Sequence, residues 1–319
     1  MKNGMTIKKW YPQYTLLQRL RVSRSYKKYG KRDGMTLDAF LYYGMDRMTE
    51  AERKNIIRDE ELPFFDRQFN APEGLSVFND KREFYRVFHA YMNRRIIVPS
   101  LHGKEEFLSF AKESPRFLLK PACLYGGLGM ECIEPRGYNE ELMEQLFERM
   151  VREEFIAEEW LSPAAEYAKI YDKALCTVRI NTMLEKNGEV RIFAAANQFG
   201  SGESFVDNDE ETGIWAAVNP ESGLVFAVEK DWESAKLYEK HPDTQSAILG
   251  FQNPKWEEII ALAKEAARVI PACRWIGWDI AVTKAGRVEL IEGNVTPEIG
   301  IWQAMTGQGL RDYFEEQLR

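Results

Sequence analysis

The sequence is poor in histidine and cysteine, and both deficits exclude particular chemistries. Its 319 residues include three histidines, His89, His102 and His241, which are far apart. Zinc sites built on histidine and Ser-His-Asp hydrolysis are therefore disfavoured. The cysteines are widely spaced and form no CxxC pair, which is typical of free thiols in a reducing cytoplasm. The four cysteines are Cys123, Cys132, Cys176 and Cys273.

Long hydrophobic runs are also missing. No apolar stretch approaches the roughly 18 residues that a membrane-spanning helix needs. The first residues, MKNGMTIKKWYPQYTLL, are partly basic but contain no continuous apolar segment and no cleavage site of small residues. We therefore interpret them as neither a signal peptide nor an anchor, and we expect a cytoplasmic protein.

The charge is unevenly distributed along the chain. Residues 1–34 hold ten Lys or Arg and one acid, Asp33, a net charge of +9, whereas the rest holds 33 basic and 49 acidic residues, a net charge of −16. The simplest interpretation of this basic arm is a solvated helix. Peripheral contact with anionic lipid, or with the acidic body of a neighbouring copy, is the alternative. We expect no nucleic-acid partner, because the body is acidic and no reader motif is present.

Hydrophobic periodicity indicates a mainly helical region at residues 1–75, followed by mixed strands and helices from residue 76. A turn at YGKRDGM precedes a second helical stretch, TLDAFLYYGMDRMTEAERKNIIR. Residues 139–151 predict an amphipathic helix that Asn139 caps. Its predicted apolar face consists of Leu142, Met143, Leu146, Phe147 and Met150.

Strand patterns occur in antiparallel pairs rather than in a regular strand–helix alternation. Asn187 and Gly188 predict the turn of one hairpin, and Lys284 to Gly286 predict the turn of another. The predicted strands cover 117–120, 153–161, 177–184, 189–199, 278–282 and 287–292, and a predicted helix covers 255–270. This balance indicates an α+β fold.

A lysine followed by a glycine-rich turn is the first candidate site. Lys120 ends a predicted strand, and Gly126, Gly127 and Gly129 follow in LLKPACLYGGLGM. Glycines allow backbone N–H groups to approach a phosphate, and the lysine can neutralise it. The segment is not the Walker pattern GxxxxGK[ST], and a plain turn is the commoner interpretation of such a fragment.

Acidic and amide side chains on a predicted hairpin form the second candidate. Asp279, Glu292 and Asn294 lie in WDIAV and LIEGN, and residues on paired strands can share a face. Such hard oxygen ligands suit Mg²⁺ held together with nucleotide phosphates. A solvated surface hairpin is the alternative, but these acids sit in apolar strands, where an unpaired carboxylate is costly.

Three further features are weak when taken singly. Residues 158–161 (EEWL) could contact adenine through backbone groups, or they could be a polar strand end. Arg179 lies within a predicted strand and is considered together with Asp207 and Asn208 in a later loop. It could bind phosphate or form an internal salt bridge. Lys81 begins a helix in FNDKREFYRVF, a position that usually has no special role.

The order of these features resembles that of the ATP-grasp superfamily. The closer resemblance is to the sugar-transfer-associated ATP-grasp family, through NDKREFYRVF, TVRINT, VDN, HPDT, IGWDIAVT and IEGN followed by Gln303. Together these motifs cover roughly residues 30–315. The resemblance implies an ATP-grasp fold with two α+β lobes that clamp ATP, a small lobe at about 113–160 and a large lobe at 161–319, within a catalytic core at 76–319.

The resemblance also implies roles for individual residues. Lys81 and Lys120 would contact the phosphates, and the loop 123–130, which includes Gly126, Gly127 and Gly129, would cover them. The adenine pocket would involve Glu158, Glu159, Trp160 and Leu161, and the ribose would involve Glu166. Arg179 and Asn208 would lie near the phosphates, with Arg179 and Lys120 as catalytic residues. The ligands of Mg²⁺ would be Asp279, Glu292 and Asn294.

The implied activity is an ATP-dependent ligase. A substrate carboxylate would become an acyl phosphate and then react with an amine or a similar nucleophile, in the synthesis of a surface polysaccharide or a secondary metabolite. A kinase acting on a small molecule and a nucleotide-binding regulatory or scaffold protein are the alternatives. Related folds are often dimers, so a homodimer is compatible with the resemblance.

Two positions depart from the pattern of related ligases. Gly277 stands where many of them carry an arginine two residues before the metal-binding aspartate. Gln198 stands near a position where the related family often has another arginine. Either Arg179 or Arg274 would then have to stabilise the intermediate, or the reaction differs. We expect the substrate pocket to involve residues 200–215 and 295–305; Trp302 and Gln303 would face it, unless Trp302 belongs to the core.

Overall fold

The N-terminal part of the chain is helical. The structure is a computed structural model that describes residues 2–207 and 213–319. Seven α-helices precede the first strand of the described chain: α1 Lys2–Trp10, α2 Leu16–Lys28, α3 Leu37–Tyr42, α4 Glu50–Asn55, α5 Leu62–Phe69, α6 Pro72–Asn79 and α7 Lys81–Phe88. That strand, β1, spans Ile96–Ile97.

The predicted second helical stretch is two helices rather than one. The chain turns between the end of α3 and Thr49. Thr49 then begins α4 with a capping box, in which its hydroxyl accepts from the Glu52 amide at 3.3 Å and the Glu52 carboxylate accepts from the Thr49 amide at 2.6 Å. Apolar periodicity alone did not indicate this break.

The first helix packs against the rest of the chain. Ile7 and Trp10 are each 1% exposed, in a core cluster with Phe40. Lys230, from far along the sequence, donates to the Trp10 carbonyl at 2.6 Å, and the Trp10 and Trp232 rings lie 6.0 Å apart. The basic arm is therefore partly built into the fold.

A four-stranded antiparallel sheet forms the smaller α+β unit. Its strand order is β1-β4-β2-β3, with β2 at Phe117–Pro121, β3 at Glu131–Ile133 and β4 at Phe155–Glu159. Helices α8 (Lys104–Glu113) and α9 (Glu140–Arg152) pack against it. Because β1 belongs to this sheet, the unit extends N-terminal to the predicted small-lobe limit at residue 113.

Helix α9 begins as predicted, with the Asn139 side chain accepting from the Leu142 amide at 2.8 Å. Its buried face holds Met143, Leu146 and Met150. Leu142 is 45% exposed, so the prediction that it belongs to the apolar face is wrong. A position in the first turn of a helix can leave the stripe that packs on a sheet when that stripe is narrow.

A six-stranded antiparallel sheet forms the larger unit. Its strand order is β10-β9-β5-β6-β7-β8. The strands are β5 Thr177–Leu184, β6 Val190–Phe199, β7 Ile214–Val218, β8 Val225–Val228, β9 Trp275–Val282 and β10 Val288–Asn294. The remaining helices are α10 Ala165–Ala168, α11 Trp256–Ala266, α12 Gly300–Thr306 and α13 Arg311–Leu318.

Each face of the large sheet is covered by apolar packing. One face carries Val178, Ile180 and Trp278 in a cluster with α11. The other face carries Met183 and Trp275 in a cluster with α5, α12 and α13. Polar residues of β5, β9 and β10 lie beyond this second cluster and face the small unit. In the described residues, no helix is long and apolar enough to cross a membrane.

Candidate active site

The register of β5, β9 and β10 brings the predicted carboxylate site together. Asp279 lies opposite Glu292 on one side and opposite Arg179 on the other. A bulge between Leu290 and Glu292 shifts the register of β10 immediately before this point. The Asn294 amide nitrogen donates to Asp279 Oδ2 at 3.2 Å and to Glu292 Oε1 at 3.3 Å. Asp279, Glu292 and Asn294 therefore form one cluster.

Arg179 forms a bidentate ion pair with the aspartate of this cluster. Its Nε donates to Asp279 Oδ1, and its terminal nitrogen donates to Asp279 Oδ2 at 2.9 Å. Gln198 donates to Asp279 Oδ1 at 3.1 Å. Of the two alternatives for Arg179, the internal salt bridge is therefore present, and its partner Asp279 lines the cleft.

The carboxylates have different electrostatic environments. Burial raises the pKa of Asp279 although Arg179 opposes this effect. Burial would also raise the pKa of Glu292, but the charges of Lys81, Lys120 and Arg179 outweigh it and lower that pKa. Glu292 is therefore held ionised by cations that converge on it from three elements, which is a suitable setting for a divalent ion and an anion together.

Both predicted phosphate-contacting lysines line the cleft beside these carboxylates. Lys120 pairs with Glu158 at 2.8 Å, and Lys81 donates to the Leu124 carbonyl. Burial lowers the pKa of the Lys81 ammonium. A phosphate entering here would meet one lysine held by a carboxylate and one held by the backbone of the glycine-rich loop.

Arg94 is a charged site residue that sequence reasoning missed. It is 5% exposed and donates to Glu158 Oε2 at 3.2 Å and to the Leu290 carbonyl at 2.7 Å. Burial would raise the pKa of Glu158, but Arg94 and Lys120 lower it to about 2. Arg94 precedes β1 in the sequence NRRII, so adjacent arginines could not be distinguished before the fold showed which one is buried.

The glycine-rich loop, which is predicted to cover the phosphates, lines one side of the cleft. Gly126, Gly127 and Gly129 have φ angles of 61°, 72° and 70°, in the left-handed region that favours glycine. A Cβ at Gly127 would lie 3.2 Å from Val206 Cγ2. The loop therefore rests on the segment 200–207 of the large unit, and a side chain at Gly127 would push the two apart.

The strand end predicted to contact adenine lines a cavity that also includes Lys120. Glu158, Glu159, Trp160 and Leu161 all belong to its wall. The Trp160 ring lies 3.8 Å from the Arg116 guanidinium and 6.3 Å from the Phe205 ring.

One predicted nucleotide contact lies away from the cleft, and another cannot be compared with the structure. Glu166 is exposed on α10 and is absent from the cleft-lining residues. The prediction for Asn208 lies outside the described residues.

Gly277 has no room for a side chain. A Cβ there would lie 2.6 Å from Pro297 Cβ and 2.9 Å from Arg179 Cδ. Arg179 therefore occupies the space above Gly277. Arg274, the other arginine considered for the intermediate, donates to the Leu184 carbonyl at 2.7 Å and lies over the Phe69 ring at 5.5 Å. Of the two, Arg179 alone faces the cluster.

The HPDT motif braces the segment on which the glycine-rich loop rests. His241 is fully buried and donates to the Gly200 carbonyl at 2.7 Å. Asp243 accepts from the Gly202 amide at 2.7 Å, and the Tyr171 hydroxyl donates to the Ser204 carbonyl at 2.7 Å. The motif therefore does not line the cleft itself, but it fixes the backbone of the segment 200–207.

Gln303 does not face the cleft. Its Oε1 accepts from the Ile57 amide at 3.0 Å and its Nε2 donates to the Ile57 carbonyl at 2.8 Å. Trp302 is 6% exposed in the cluster between the large sheet and α12. These residues join the N-terminal helices to the large unit, so the expectation that Gln303 lines a substrate pocket is wrong.

Comparison with known proteins identifies the family. The family described as sugar-transfer-associated ATP-grasp matches residues 63–317. No functionally curated protein matches the chain. Among solved structures, the ATP-grasp ligase PsnB with a minimal precursor has 13% identity and a TM-score of 0.48, with 78% of this chain and 64% of that chain covered. This chain thus spans less than two thirds of the length of PsnB.

Two other similar structures are synthetases by their descriptions. The D-cycloserine synthetase DcsG has 12% identity and a TM-score of 0.48, covering 84% of this chain and 80% of that one. D-alanyl-alanine synthetase A from Vibrio cholerae has 12% identity and a TM-score of 0.45, covering 78% and 68%. At this distance the family match, over most of the chain, is what assigns the fold.

Proposed function

Because the chain belongs to the sugar-transfer-associated ATP-grasp family, we propose that it is an ATP-dependent ligase that activates a carboxylate as an acyl phosphate. The second substrate would be an amine or a similar nucleophile. The observation that carries this proposal is the convergence of Lys81 and Lys120 from one side of the cleft with Asp279, Glu292 and Asn294 from the other.

The donor set fits Mg²⁺ bound together with a nucleotide. Two carboxylates and one amide are hard ligands, and they lie on adjacent strands within hydrogen-bonding distance of a common amide. In the described residues, no group of three or more His, Cys, Asp or Glu could hold a metal by itself. The remaining ligands would therefore be phosphate oxygens and water. When bound, Mg²⁺ would neutralise charge on the phosphates.

The chain's own residues would orient and stabilise the reacting groups. Lys120 and Lys81 would offset the charge on the transferred phosphoryl group, so that catalysis is mainly positioning and electrostatics. Arg179 is fixed by its two bonds to Asp279, and its guanidinium lies 5.5 Å from the Trp215 ring. It is preorganised to donate to the oxyanion formed when the nucleophile attacks. The glycine-rich loop would exclude water from the acyl phosphate.

The test is calorimetric titration with a non-hydrolysable ATP analogue, with and without Mg²⁺. We expect Mg²⁺-dependent binding in the wild type and its loss in Lys120→Ala, because the ammonium is replaced by a methyl group at the phosphates. Thermal unfolding of the variant serves as the control for the fold. Absence of binding under both conditions would overturn the proposal and favour a scaffold protein.

A kinase that phosphorylates a small molecule is the second candidate. It is favoured by Gly277, because many related ligases carry an arginine there and the packing of Pro297 and Arg179 in this chain leaves no space for one. The two activities differ in their products. A ligase releases free phosphate and forms an amide, whereas a kinase retains the labelled γ-phosphate on its product. A screen with γ-labelled ATP, carboxylic acids and amines distinguishes them.

A further inference from the structure

Helix α2 exposes most of its surface to solvent. It spans Leu16–Lys28, and a capping box between Thr15 and Gln18 begins it. Val22 is its one buried residue. Successive residues of an α-helix are rotated by roughly 100° about the helix axis. On this basis, one group of residues lies within an arc of about 140° on the side opposite Val22. This outward face consists of Leu16, Leu17, Leu20, Arg21, Arg24, Lys27 and Lys28, all exposed.

The apolar part of the outward face is unusually exposed. Leu16, Leu17 and Leu20 are 78%, 74% and 53% exposed, and Met5 on the neighbouring α1 is 75% exposed. A single exposed leucine needs no explanation, but several together on one helix mark an interaction surface. The packing that holds α2 on the protein comes from the opposite side of the helix, where Val22 is buried and the Tyr26 ring lies 5.7 Å from the Phe40 ring.

The basic part of the outward face has no acidic partner. Among the residues that the structure describes, no carboxylate forms an ion pair with Arg21, Arg24, Lys27 or Lys28. The face therefore presents positive charge to an external partner.

We propose that the outward face of α2 docks on a negatively charged lipid bilayer. A surface helix of this kind can bury its leucines among the acyl chains of the lipids. Its unpaired basic residues then lie at the lipid phosphates. The leucines lie in the first half of the helix, and three of the four basic residues lie in the second half. The C-terminal end of the helix would therefore insert less deeply into the bilayer than the N-terminal end. This attachment is independent of the ATP site and goes beyond the proposed ligase activity.

The leucines favour a bilayer over nucleic acid as the partner. Phosphates of either partner would attract the basic residues, but nucleic acid offers no apolar phase for exposed leucines. Single-stranded nucleic acid would instead favour aromatic side chains that stack on bases. The outward face of α2 has no aromatic residue.

The experiment is co-sedimentation of the full chain with vesicles. We expect binding to vesicles that contain phosphatidylglycerol and little binding to pure phosphatidylcholine, with affinity that falls as salt increases. Replacing Leu16, Leu17 and Leu20 together by Ser should weaken binding about tenfold or more. Charge reversal at Arg21, Arg24 and Lys27 should abolish the preference for anionic vesicles.

A matched control replaces exposed leucines outside α2. Leu101 and Leu237 are 46% and 53% exposed, and their replacement by Ser should leave vesicle binding unchanged. All variants should keep the wild-type Tm and affinity for the ATP analogue, since the changed side chains are exposed. Failure of the proposed ligase activity would not affect this readout, because vesicle binding requires no turnover.

Three results would overturn the proposal. The first is equal sedimentation of the α2 leucine variant and the wild type with anionic vesicles. The second is binding to duplex DNA that the leucine variant retains in full while neither protein binds vesicles. The third is a change of oligomeric state in the leucine variant without vesicles, which would identify the face as a contact between copies of the chain.

Discussion

The two sides of the candidate ATP site are built in opposite ways. Strand β9, which carries Asp279, is buried along its entire length, and Asp279 is bonded to three different side chains. The glycine-rich loop, in contrast, exposes Leu124, Tyr125 and Leu128 to solvent by 47%, 49% and 67%. One side is a buried wall, and the other is a largely exposed loop that would act as a cover over a bound nucleotide.

The proposed ligase activity would require this difference between the two sides. Groups that stabilise developing charge act best when their geometry is set before the reaction, as on the wall. A cover must admit the nucleotide and then exclude water, so it needs a backbone that can change conformation. The segment 200–207 lies between them, because Val206 touches the loop at Gly127 while Asp207 bonds to β5.

The largest effect is expected from breaking the wall. Asp279→Ala leaves the buried Arg179 guanidinium without its carboxylate, which should lower the free energy of unfolding by about 3–5 kcal/mol. Chemical denaturation measures this loss. Asp172→Ala removes an exposed aspartate and should change stability little. A loss below about 1 kcal/mol for Asp279→Ala would mean that the ion pair is not part of a rigid wall.

A pH-dependent effect on the free energy of unfolding is expected from Asp207, which lies in the segment 200–207 between the wall and the loop. Burial raises the pKa of Asp207 to about 7, although its bond to the Thr177 amide at 2.6 Å opposes this. A raised pKa in the folded state means that the folded protein binds more protons than the unfolded one between about pH 4 and 7, so stability falls as pH rises through this range.

Asp207→Asn should remove this dependence. The amide oxygen can still accept from Thr177, but no charge is buried, so the variant should gain up to about 4 kcal/mol at pH 8 and close to nothing at pH 4. Unfolding curves of both proteins at the two pH values give the comparison. The same gain at both pH values would show that titration of Asp207 is not the cause.

The smallest effect is expected from stiffening the cover. Gly127→Ala forces an L side chain into a φ of 72° against Val206, at a cost of roughly 1–2 kcal/mol. The backbone strain should lower the Tm slightly, and displacement of the loop from Val206 should weaken binding of the ATP analogue about tenfold.

Gly137→Ala is the matched control for this prediction. Gly137 has a φ of 92°, but a Cβ there would meet nothing within 4 Å. It should therefore share the backbone strain without displacing Val206, and its nucleotide affinity should stay near that of the wild type. Equal losses in both variants would exclude contact with Val206 as the cause.

Local signals in the sequence predicted the elements that depend only on neighbouring residues, such as turns and helix starts. Asn187-Gly188 predicted the β5–β6 hairpin, and Asn139 predicted the start of α9. The predicted helix 255–270 ends earlier, at Ala266, and Pro271 disfavours helical geometry in the residue before it. Its apolar pattern continues beyond the helix because the following residues pack on the same core.

The sequence by itself determined the family, the α+β class and the residue types of the site, because motif order and strand periodicity are local properties of the chain. Only the tertiary structure decided which residues meet. It brought Arg94 to Glu158, set Arg179 above Gly277 and assigned Gln303 to the joint with the N-terminal helices. Such pairings join positions tens to hundreds of residues apart, and they depend on strand register and burial, which no local pattern specifies.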